Sequence, residues 1–264
     1  QHSYTLIFPN PLKVSVELQC LLTRPSNTHL RSQPLACQCP PMDTPKKRSA
    51  GNGATPDFDQ RFQDTLETLL VWRRDVRRFR SDPVDDAVIR ELLKLTALSP
   101  SVGNAQPWRF VLVEDTARRA DIIANFENVN ADALSEYSGD QAETYAGLKL
   151  AGLRDAPVHL AVYCDEASEL GYGLGRKTMP EMLAYSVVGA ITTLWLTARA
   201  HGIGLGWVSI LDPERANKTL DIPDDWSLVG YLCMGYPVEE HTDPELERAG
   251  WQERIDISNF ILKR

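Results

Sequence analysis

The spacing of apolar residues predicts two amphipathic helices after residue 56. The first begins near Asp57 or Asp59, whose side chains can cap a helix, and its apolar positions are Phe62, Leu66, Leu69 and Leu70. The second begins at Asp85 or Asp86 and ends at Ser99-Pro100, because the residue before a proline disfavours the helical conformation. Its apolar positions are Val88, Leu92, Leu95 and Leu98. Each helix therefore has one face that needs a covering surface.

A longer helix is predicted over residues 180–201, with proline at its start and Gly202 just past its end. It is apolar nearly all round, through Leu183, Val187, Val188, Ile191, Leu194, Trp195 and Leu196. A helix without a polar face is a central core helix or an oligomer interface. Two further helices are predicted, one from a cap at Asp115 through Phe126 and a short one that opens at Asp212-Pro213.

Four apolar runs predict β-strands at residues 109–114, 157–164, 203–211 and 228–236. The run at 157–164 is almost continuously apolar, which indicates a strand that is buried on both faces. Helices and strands alternate along the chain, so the pattern favours an α+β or α/β layered fold with a ligand at the strand ends.

Two polar segments interrupt this pattern. Residues 127–150 are weakly periodic, and Tyr137, Tyr145 and Leu148 are their larger side chains, so the segment is a candidate lid over a site. The stretch from Gly171 to Arg176 follows a loop and lacks the spacing of a dinucleotide fingerprint. We interpret it as a flexible connection rather than a phosphate cradle.

Residues 1–56 are rich in proline and show little periodicity, which predicts a disordered or appended leader before a single domain at 57–264. Our hypothesis is that residues 1–41 precede a natural start at Met42. Prolines and polar residues interrupt this stretch, so it does not resemble a signal peptide.

Composition narrows the classes of function. The formal net charge is −8 with 24% charged residues, and such an acidic chain is not expected to bind nucleic acid broadly. No run of about 18 apolar residues indicates a membrane span. The five cysteines lack paired spacing, and Cys164 and Cys233 lie in apolar strands as small buried side chains. These features predict a cytoplasmic protein without a membrane partner.

The stretch Arg73-Arg74-Asp75-Val76-Arg77 follows the first helix. Arg73, Asp75 and Arg77 occupy alternating positions, so in an extended segment they project to the same side. Guanidinium groups bind phosphate through paired donors, which suits a phosphorylated, ring-bearing ligand. The structural alternative is a solvated helix end whose arginines pair with Asp75 and interact with the helix dipole.

Two other stretches carry small or polar residues at element ends. The loop over 99–108 contains Ser101, Asn104 and Gln106, which can hydrogen-bond a ring or a ribityl chain. Alternating glycines at Gly204 and Gly206 let a flat ligand or another backbone approach a strand closely. No motif indicates a metal site or an activated nucleophile, so an organic cofactor is the most economical source of reactivity. Flavin mononucleotide (FMN) suits the three stretches, with its phosphate on the arginines and its ring over the glycine strand.

These stretches resemble the signature of the nitroreductase-like flavoproteins: Arg73-Arg-Asp-Val-Arg77, Ser99-Pro-Ser-Val-Gly-x-x-Gln-Pro-Trp108 and Gly204-Leu-Gly-Trp-Val-Ser-Ile210. Within that superfamily they are most similar to the 5,6-dimethylbenzimidazole synthases. Three further stretches strengthen the similarity, at 175–182, 194–200 and 244–251. The resemblance extends over about residues 57–257.

The resemblance implies an α+β, nitroreductase-like FMN-binding fold, in which helices flank a central mixed or antiparallel sheet. It also implies a homodimer with an extended C-terminal tail and an FMN site at each subunit boundary. The implied phosphate contacts are Arg73, Arg77 and Arg254. Other implied site residues are Arg74, Asp75 and Val76 beside the arginines, Ser101 and Gln106 in a flavin-facing loop, and Leu148 in the lid.

The reaction that the resemblance implies consumes flavin. Reduced FMN, supplied by a separate flavin reductase, reacts with O2 to give 5,6-dimethylbenzimidazole and erythrose 4-phosphate, and the former becomes the lower ligand of vitamin B12. Ordinary nitroreductases more often carry serine where this chain has Asp75, and a carboxylate there can act as a general base. The implied catalytic pair is Asp75 and Ser209. Their structural alternatives are a salt bridge of Asp75 to Arg74 or Arg77 and a backbone-bonded strand serine.

Two other functions remain open on the sequence. An NAD(P)H-dependent FMN nitroreductase would recycle its flavin and needs an open site for a second substrate. A flavin-binding carrier or sensor would hold oxidised FMN tightly and release no oxygen-dependent product.

Overall fold

Four antiparallel strands form a sheet at the centre of the computed structural model, which describes residues 56–134, 138–139 and 152–264. The strands are β1 (Trp108–Leu112), β2 (Val158–Asp165), β3 (Gly204–Val208) and β4 (Trp226–Gly235). Their order across the sheet is β1-β2-β4-β3, so β1 and β3 are opposite edges. The prediction of a buried second strand is confirmed, because seven of the eight β2 residues are buried.

The described helices are α1 (Gln60–Trp72), α2 (Asp86–Thr96), α3 (Thr116–Leu134), α4 (Gly152–Asp155), α5 (Met182–Ala200), α6 (Pro213–Leu220) and α7 (Glu245–Arg248). Aspartates cap four of them, as the sequence predicts. Asp59 accepts a hydrogen bond from the backbone N–H of Phe62 at 2.9 Å, and Asp85 accepts one from that of Ala87 at 2.7 Å. Asp115 and Asp212 cap α3 and α6 in the same way.

The sheet divides the core into two layers because successive strand side chains point to opposite faces. On one face, Leu160 and Val162 of β2 pack with residues of α2 and α5. On the other face, Ala161 and Tyr163 pack with Ile122 of α3 and with α6. Helices therefore cover both faces of an antiparallel sheet, which is an α+β layered arrangement.

Helix α5 is the most apolar helix in the described part of the chain. By length and composition alone it could cross a membrane, with a mean hydropathy of 1.2. Val187, Ile191 and Leu194 are nonetheless fully buried against the sheet layer, as in the core helix of a folded domain. Its other side exposes Tyr185 (55%) and Val188 (39%), so among the described residues one apolar face of α5 is left uncovered.

Two helix boundaries differ from the prediction. Helix α3 continues past Phe126 to Leu134, because residues 127–134 contain neither glycine nor proline and Glu127 forms an ion pair with Arg154. Residues 127–134 of the predicted irregular segment are therefore helical. Helix α2 ends at Thr96, three residues before the predicted end, so Leu98 lies beyond it and is 77% exposed instead of facing the core.

Candidate functional site

The segment after α1 lies against the outer edge of β3. The backbone N–H of Val76 donates to the carbonyl oxygen of Leu205 at 3.0 Å, and Asp75 forms an isolated parallel bridge with the same residue. A Cβ atom on Gly206 would lie 2.2 Å from the carbonyl oxygen of Val76. Of the two partners predicted for the glycine strand, another backbone occupies the space beside Gly206, and a planar ring does not.

Asp75 is held by one backbone and one side-chain donor. Its Oδ1 accepts a hydrogen bond from the backbone N–H of Trp207 at 3.0 Å, and its Oδ2 is 3.5 Å from Nε of Arg77. The Asp75 side chain is still 36% exposed, but partial desolvation in the cavity wall raises the pKa of its carboxyl group above the ordinary value, and the two donors oppose this shift only in part. The salt bridge of the structural alternative is therefore present, yet it does not make this carboxyl an ordinary surface aspartate.

Two neighbouring arginines are oriented by the protein around them. The guanidinium of Arg73 lies over the ring of Trp195, 4.9 Å from its centroid. Arg74 donates from Nη2 to the carbonyl oxygen of Leu70 at 3.0 Å, while its Nε is buried and has no hydrogen-bond partner among the described residues. Burial, followed by repulsion from Arg73 and Arg254, lowers the pKa of Arg74. These cations are crowded and incompletely satisfied, which favours binding of an anion.

Five of the predicted residues meet at an open cavity of about 340 Å³. Its wall is formed by Arg73, Arg74, Asp75, Arg77, Trp195, Trp207, Pro244, Glu245, Leu246 and Arg254. Four arginines face two carboxylates, an excess of two formal positive charges that matches a phosphate dianion. Val76 lines a smaller adjoining cavity of about 40 Å³. Segments far apart in sequence thus contribute to one cationic wall.

The loop predicted to face the flavin lies at the opposite edge of the sheet. The hydroxyl oxygen of Ser101 accepts a hydrogen bond from the backbone N–H of Gln106 at 3.0 Å, and Gln106 has a φ of 46°. Gly103 packs against the glycine-rich turn that contains Gly171. A Cβ atom on Gly171 would lie 2.4 Å from the carbonyl oxygen of Gly103. Because this loop leads into β1 and the arginines flank β3, three inter-strand spacings, or about 14 Å, separate them. A single chain does not bring these two groups together.

The remaining predicted residues have different positions. Ser209 is exposed and lies just after β3, two residues beyond the Trp207 amide that binds Asp75. Arg254, in the C-terminal tail, is exposed and reaches the cavity wall. Leu148, Tyr137 and Tyr145 lie outside the described residues.

Five wall residues were not predicted to be part of the site: Trp195, Trp207, Pro244, Glu245 and Leu246. Trp195 donates from Nε1 to the carbonyl oxygen of Arg74 at 3.1 Å, and its ring lies 6.2 Å from that of Trp207. Glu245 approaches Arg77, with 3.7 Å between Oε2 and Nε. All five lie in stretches that carry the family resemblance, 194–200, 204–210 and 244–251, which was the available signal. Within 56–134, 138–139 and 152–264, no group of three His, Cys, Asp or Glu side chains could hold a metal ion.

The comparison that decides the family covers most of the folded region. The Nitroreductase family model matches residues 70–236, from the end of α1 to the end of β4. The chain belongs to the nitroreductase family. This confirms the fold class predicted from the motifs, and the sheet of the described residues is antiparallel throughout.

Relatives within the family are more specific. The chain is 56% identical over 199 residues to the 5,6-dimethylbenzimidazole synthase of Rhodospirillum rubrum, covering 75% of this chain and 94% of the relative. It is 49% identical over 199 residues to the protein of the same name from Rhodobacter capsulatus, covering 75% and 96%. The predicted resemblance to these synthases is confirmed.

A solved structure supports the use of flavin in this fold. Iodotyrosine deiodinase bound to FMN and 3-iodo-L-tyrosine superposes with a TM-score of 0.58 at 26% identity, covering 67% of this chain and 91% of that protein. The arginine-lined cavity of the present chain fits the phosphate of such a cofactor through its charge excess and the buried Nε of Arg74.

Proposed function

We propose that this chain is a 5,6-dimethylbenzimidazole synthase, an oxidoreductase that uses O2 to fragment reduced FMN into 5,6-dimethylbenzimidazole and erythrose 4-phosphate. The observation that carries the proposal is the Asp75 carboxyl group with its raised pKa, placed in the wall of a cavity lined by arginines. Similarity to named synthases at 56% identity supports it. A nitroreductase that recycles its flavin does not need a carboxylate at this position.

Four arginines would hold the phosphate end of the ligand. Arg73, Arg77 and Arg254 present guanidinium groups to the cavity, and the buried Nε of Arg74 retains a donor for an anion. Trp195 keeps two of these groups in place, because its indole N–H binds the Arg74 carbonyl and its ring lies under Arg73. Val76 would line the same site from the smaller cavity.

Asp75 and Ser209 would be the two side chains that take part in the reaction. A carboxylate with a raised pKa is a stronger base than that of an ordinary aspartate, which favours proton transfer to it. The Trp207 N–H fixes Oδ1, which leaves Oδ2 beside Arg77 in the cavity wall. The exposed hydroxyl of Ser209, at the end of the same strand, can donate to or accept from the flavin edge. FMN, when reduced, supplies the electrons that O2 accepts.

A second copy of the chain would complete each site. Helix α1 has no buried residue and exposes an apolar stripe at i, i+4 and i+8, formed by Phe62, Leu66 and Leu70, with the exposed Phe58 just before the helix. The uncovered face of α5 and the exposed Ile257, Phe260 and Leu262 of the tail add apolar surface. In a homodimer, the Ser101–Gln106 loop of the second copy could face the arginines that lie across the sheet in its own chain. Leu148 would belong to the lid of this site.

We propose a folded domain at 57–264 preceded by a leader, in a cytoplasmic protein that receives reduced FMN from a separate flavin reductase. Neither a nucleic acid nor a membrane is a proposed partner, because the formal charge is −8 and the most apolar helix packs in the core.

The deciding experiment mixes the purified full chain with chemically reduced FMN in air and measures 5,6-dimethylbenzimidazole by mass spectrometry. Product that requires both the protein and O2 is the expected result. The controls are an anaerobic reaction, a reaction without protein and a reaction with riboflavin. Flavin that only returns to its oxidised form, with no fragment released, would overturn the proposal and favour a flavin-recycling nitroreductase.

A further inference from the structure

The carboxylate of Glu245 contacts two arginines, Arg77 in the cavity wall and the more exposed Arg78. Glu245 begins α7, and its Oε2 lies 3.7 Å from Nε of Arg77. Its Oε1 lies 3.3 Å from Nη1 of Arg78, which also pairs with Glu239. The side chains of Arg77 and Glu245 are 13% and 21% exposed, so their contact is partly shielded from water.

Arg77 therefore lies between two carboxylates, with Asp75 at 3.5 Å and Glu245 at 3.7 Å from the same Nε. A carboxylate and a phosphate use the same kind of acceptor oxygen for a guanidinium group. A phosphate that binds Arg77 must share this arginine with Glu245 or displace it. Asp75 is fixed by the Trp207 N–H, whereas Glu245 retains Arg78 as a second partner and can move toward it.

Resting on the function proposed above, we propose that Glu245 is a specificity-determining residue of this site. Its carboxylate competes with the phosphate of the flavin for Arg77 and thereby sets how tightly a phosphorylated ligand is held. Without Glu245 the cavity wall would have four arginines against one carboxylate, an excess of three positive charges instead of two.

The competition suits a ligand that is consumed. Four arginines would bind substrate and phosphorylated product alike, and binding that is equal in the ground and transition states does not raise kcat. A resident carboxylate weakens this uniform binding and lets the phosphorylated fragment leave. In a flavoprotein that keeps its cofactor, the same carboxylate would only weaken the binding of that cofactor.

The test compares dissociation constants for FMN and riboflavin, measured by flavin fluorescence, in the wild type and in Glu245→Gln. Glutamine retains an acceptor for Arg78 but loses the charge. We expect Glu245→Gln to bind FMN about three- to tenfold more tightly, with riboflavin changed less than twofold. Glu245→Asp, whose shorter carboxylate withdraws from Arg77, should give a smaller gain and provides a second variant. Thermal unfolding verifies that each variant folds.

Glu239→Gln is the matched control, because Glu239 is the other carboxylate partner of Arg78 and lines the smaller cavity but not the larger one that carries the four arginines. It should leave the FMN-to-riboflavin ratio within twofold of the wild type. In an Arg77→Ala background, the effect of Glu245→Gln on FMN should disappear, since the competition acts through that arginine.

Weaker FMN binding by Glu245→Gln, or an equal change for both flavins, would overturn the inference. These binding measurements do not depend on turnover. A wild type that binds FMN but forms no benzimidazole would refute the proposed reaction and leave the role of Glu245 to be decided by the affinity ratio. A wild type that prefers riboflavin to FMN would refute both.

Discussion

Asp75 and Trp207 are 132 positions apart in sequence, and the backbone N–H of Trp207 donates to Oδ1 of Asp75 at 3.0 Å. This bond ties the arginine-rich segment to the edge of the sheet and leaves Oδ2 beside Arg77. The carboxyl group thus has a fixed orientation together with a pKa that burial raises. Fixed geometry and a raised pKa are both properties expected of a general base.

Asp75→Asn should preserve folding and FMN binding but lower benzimidazole formation by about 100-fold or more, because the amide still accepts from Trp207 but cannot take a proton. The measurement is the initial rate of product formation at saturating reduced FMN. Asp82→Asn is the matched control, since Asp82 pairs with Arg80 two positions away just as Asp75 pairs with Arg77.

The pH dependence of the wild type gives a second measurement. As the pH is lowered, the rate of product formation should fall with a midpoint above 3.8, the ordinary pKa of an aspartate. Full activity in Asp75→Asn would exclude a role as a base.

Arg77→Ala should weaken FMN about 10- to 100-fold and riboflavin by much less, as expected for the loss of a charge-assisted phosphate contact. Titration of both flavins measures the difference. Arg80→Ala removes an arginine that lies over Tyr236 away from the cavity, and it should leave the FMN-to-riboflavin ratio unchanged. Equal weakening of both ligands by Arg77→Ala would contradict a phosphate contact.

Gly206→Ala should destabilise the protein by about 2–4 kcal/mol and weaken FMN binding. The new Cβ would be 2.2 Å from the carbonyl oxygen of Val76, so the segment that carries Asp75 and Arg77 must move. Denaturant unfolding and FMN titration report the two effects. An alanine variant with unchanged stability would show that the segment is not anchored at this glycine.

Stability should fall in acid because of His159. This side chain is 2% exposed, its Nδ1 lies 2.9 Å from the Tyr231 hydroxyl, and burial with the nearby Arg119 lowers its pKa to about 4. The unfolded chain takes up this proton near pH 6.5, so the free energy of unfolding should drop between pH 6.5 and 4 by about 2–3 kcal/mol.

Chemical denaturation at several pH values measures this drop. His159→Gln retains an acceptor for the Tyr231 hydroxyl and should flatten the pH dependence by that amount. His201→Gln, at an exposed histidine, should leave the slope as in the wild type. An identical slope in all three proteins would assign the acid sensitivity to other groups.

Leu66→Glu should convert the proposed homodimer to a monomer and abolish FMN binding with it. Leu66 is 41% exposed in the middle of the apolar stripe on α1, and a buried charge there would oppose association. Light scattering with size-exclusion chromatography measures the mass. Thr68→Glu, on the opposite side of the same helix, should remain a dimer. A wild type that is monomeric at all concentrations would refute the proposed assembly.

Local sequence determined much of the secondary structure. The aspartate caps, the apolar periodicity and the buried run of β2 each depend on neighbours within a few residues, so these elements could be predicted. The arginine segment, the flavin-facing loop and the glycine strand could also be recognised as the carriers of the family resemblance. Where local signals were weak the prediction failed, as at the extended α3 and at Leu98.

Only the tertiary structure decided what each of these groups faces. Gly206 is small because Val76 lies beside it, Asp75 is oriented by an amide from β3, and Arg77 meets Glu245 from the far end of the chain. The strand order separates the Ser101 loop from the arginines, which no spacing along the chain reveals. Sequence encodes these contacts only through the packing of the whole sheet, because residues that meet across an edge share no local pattern.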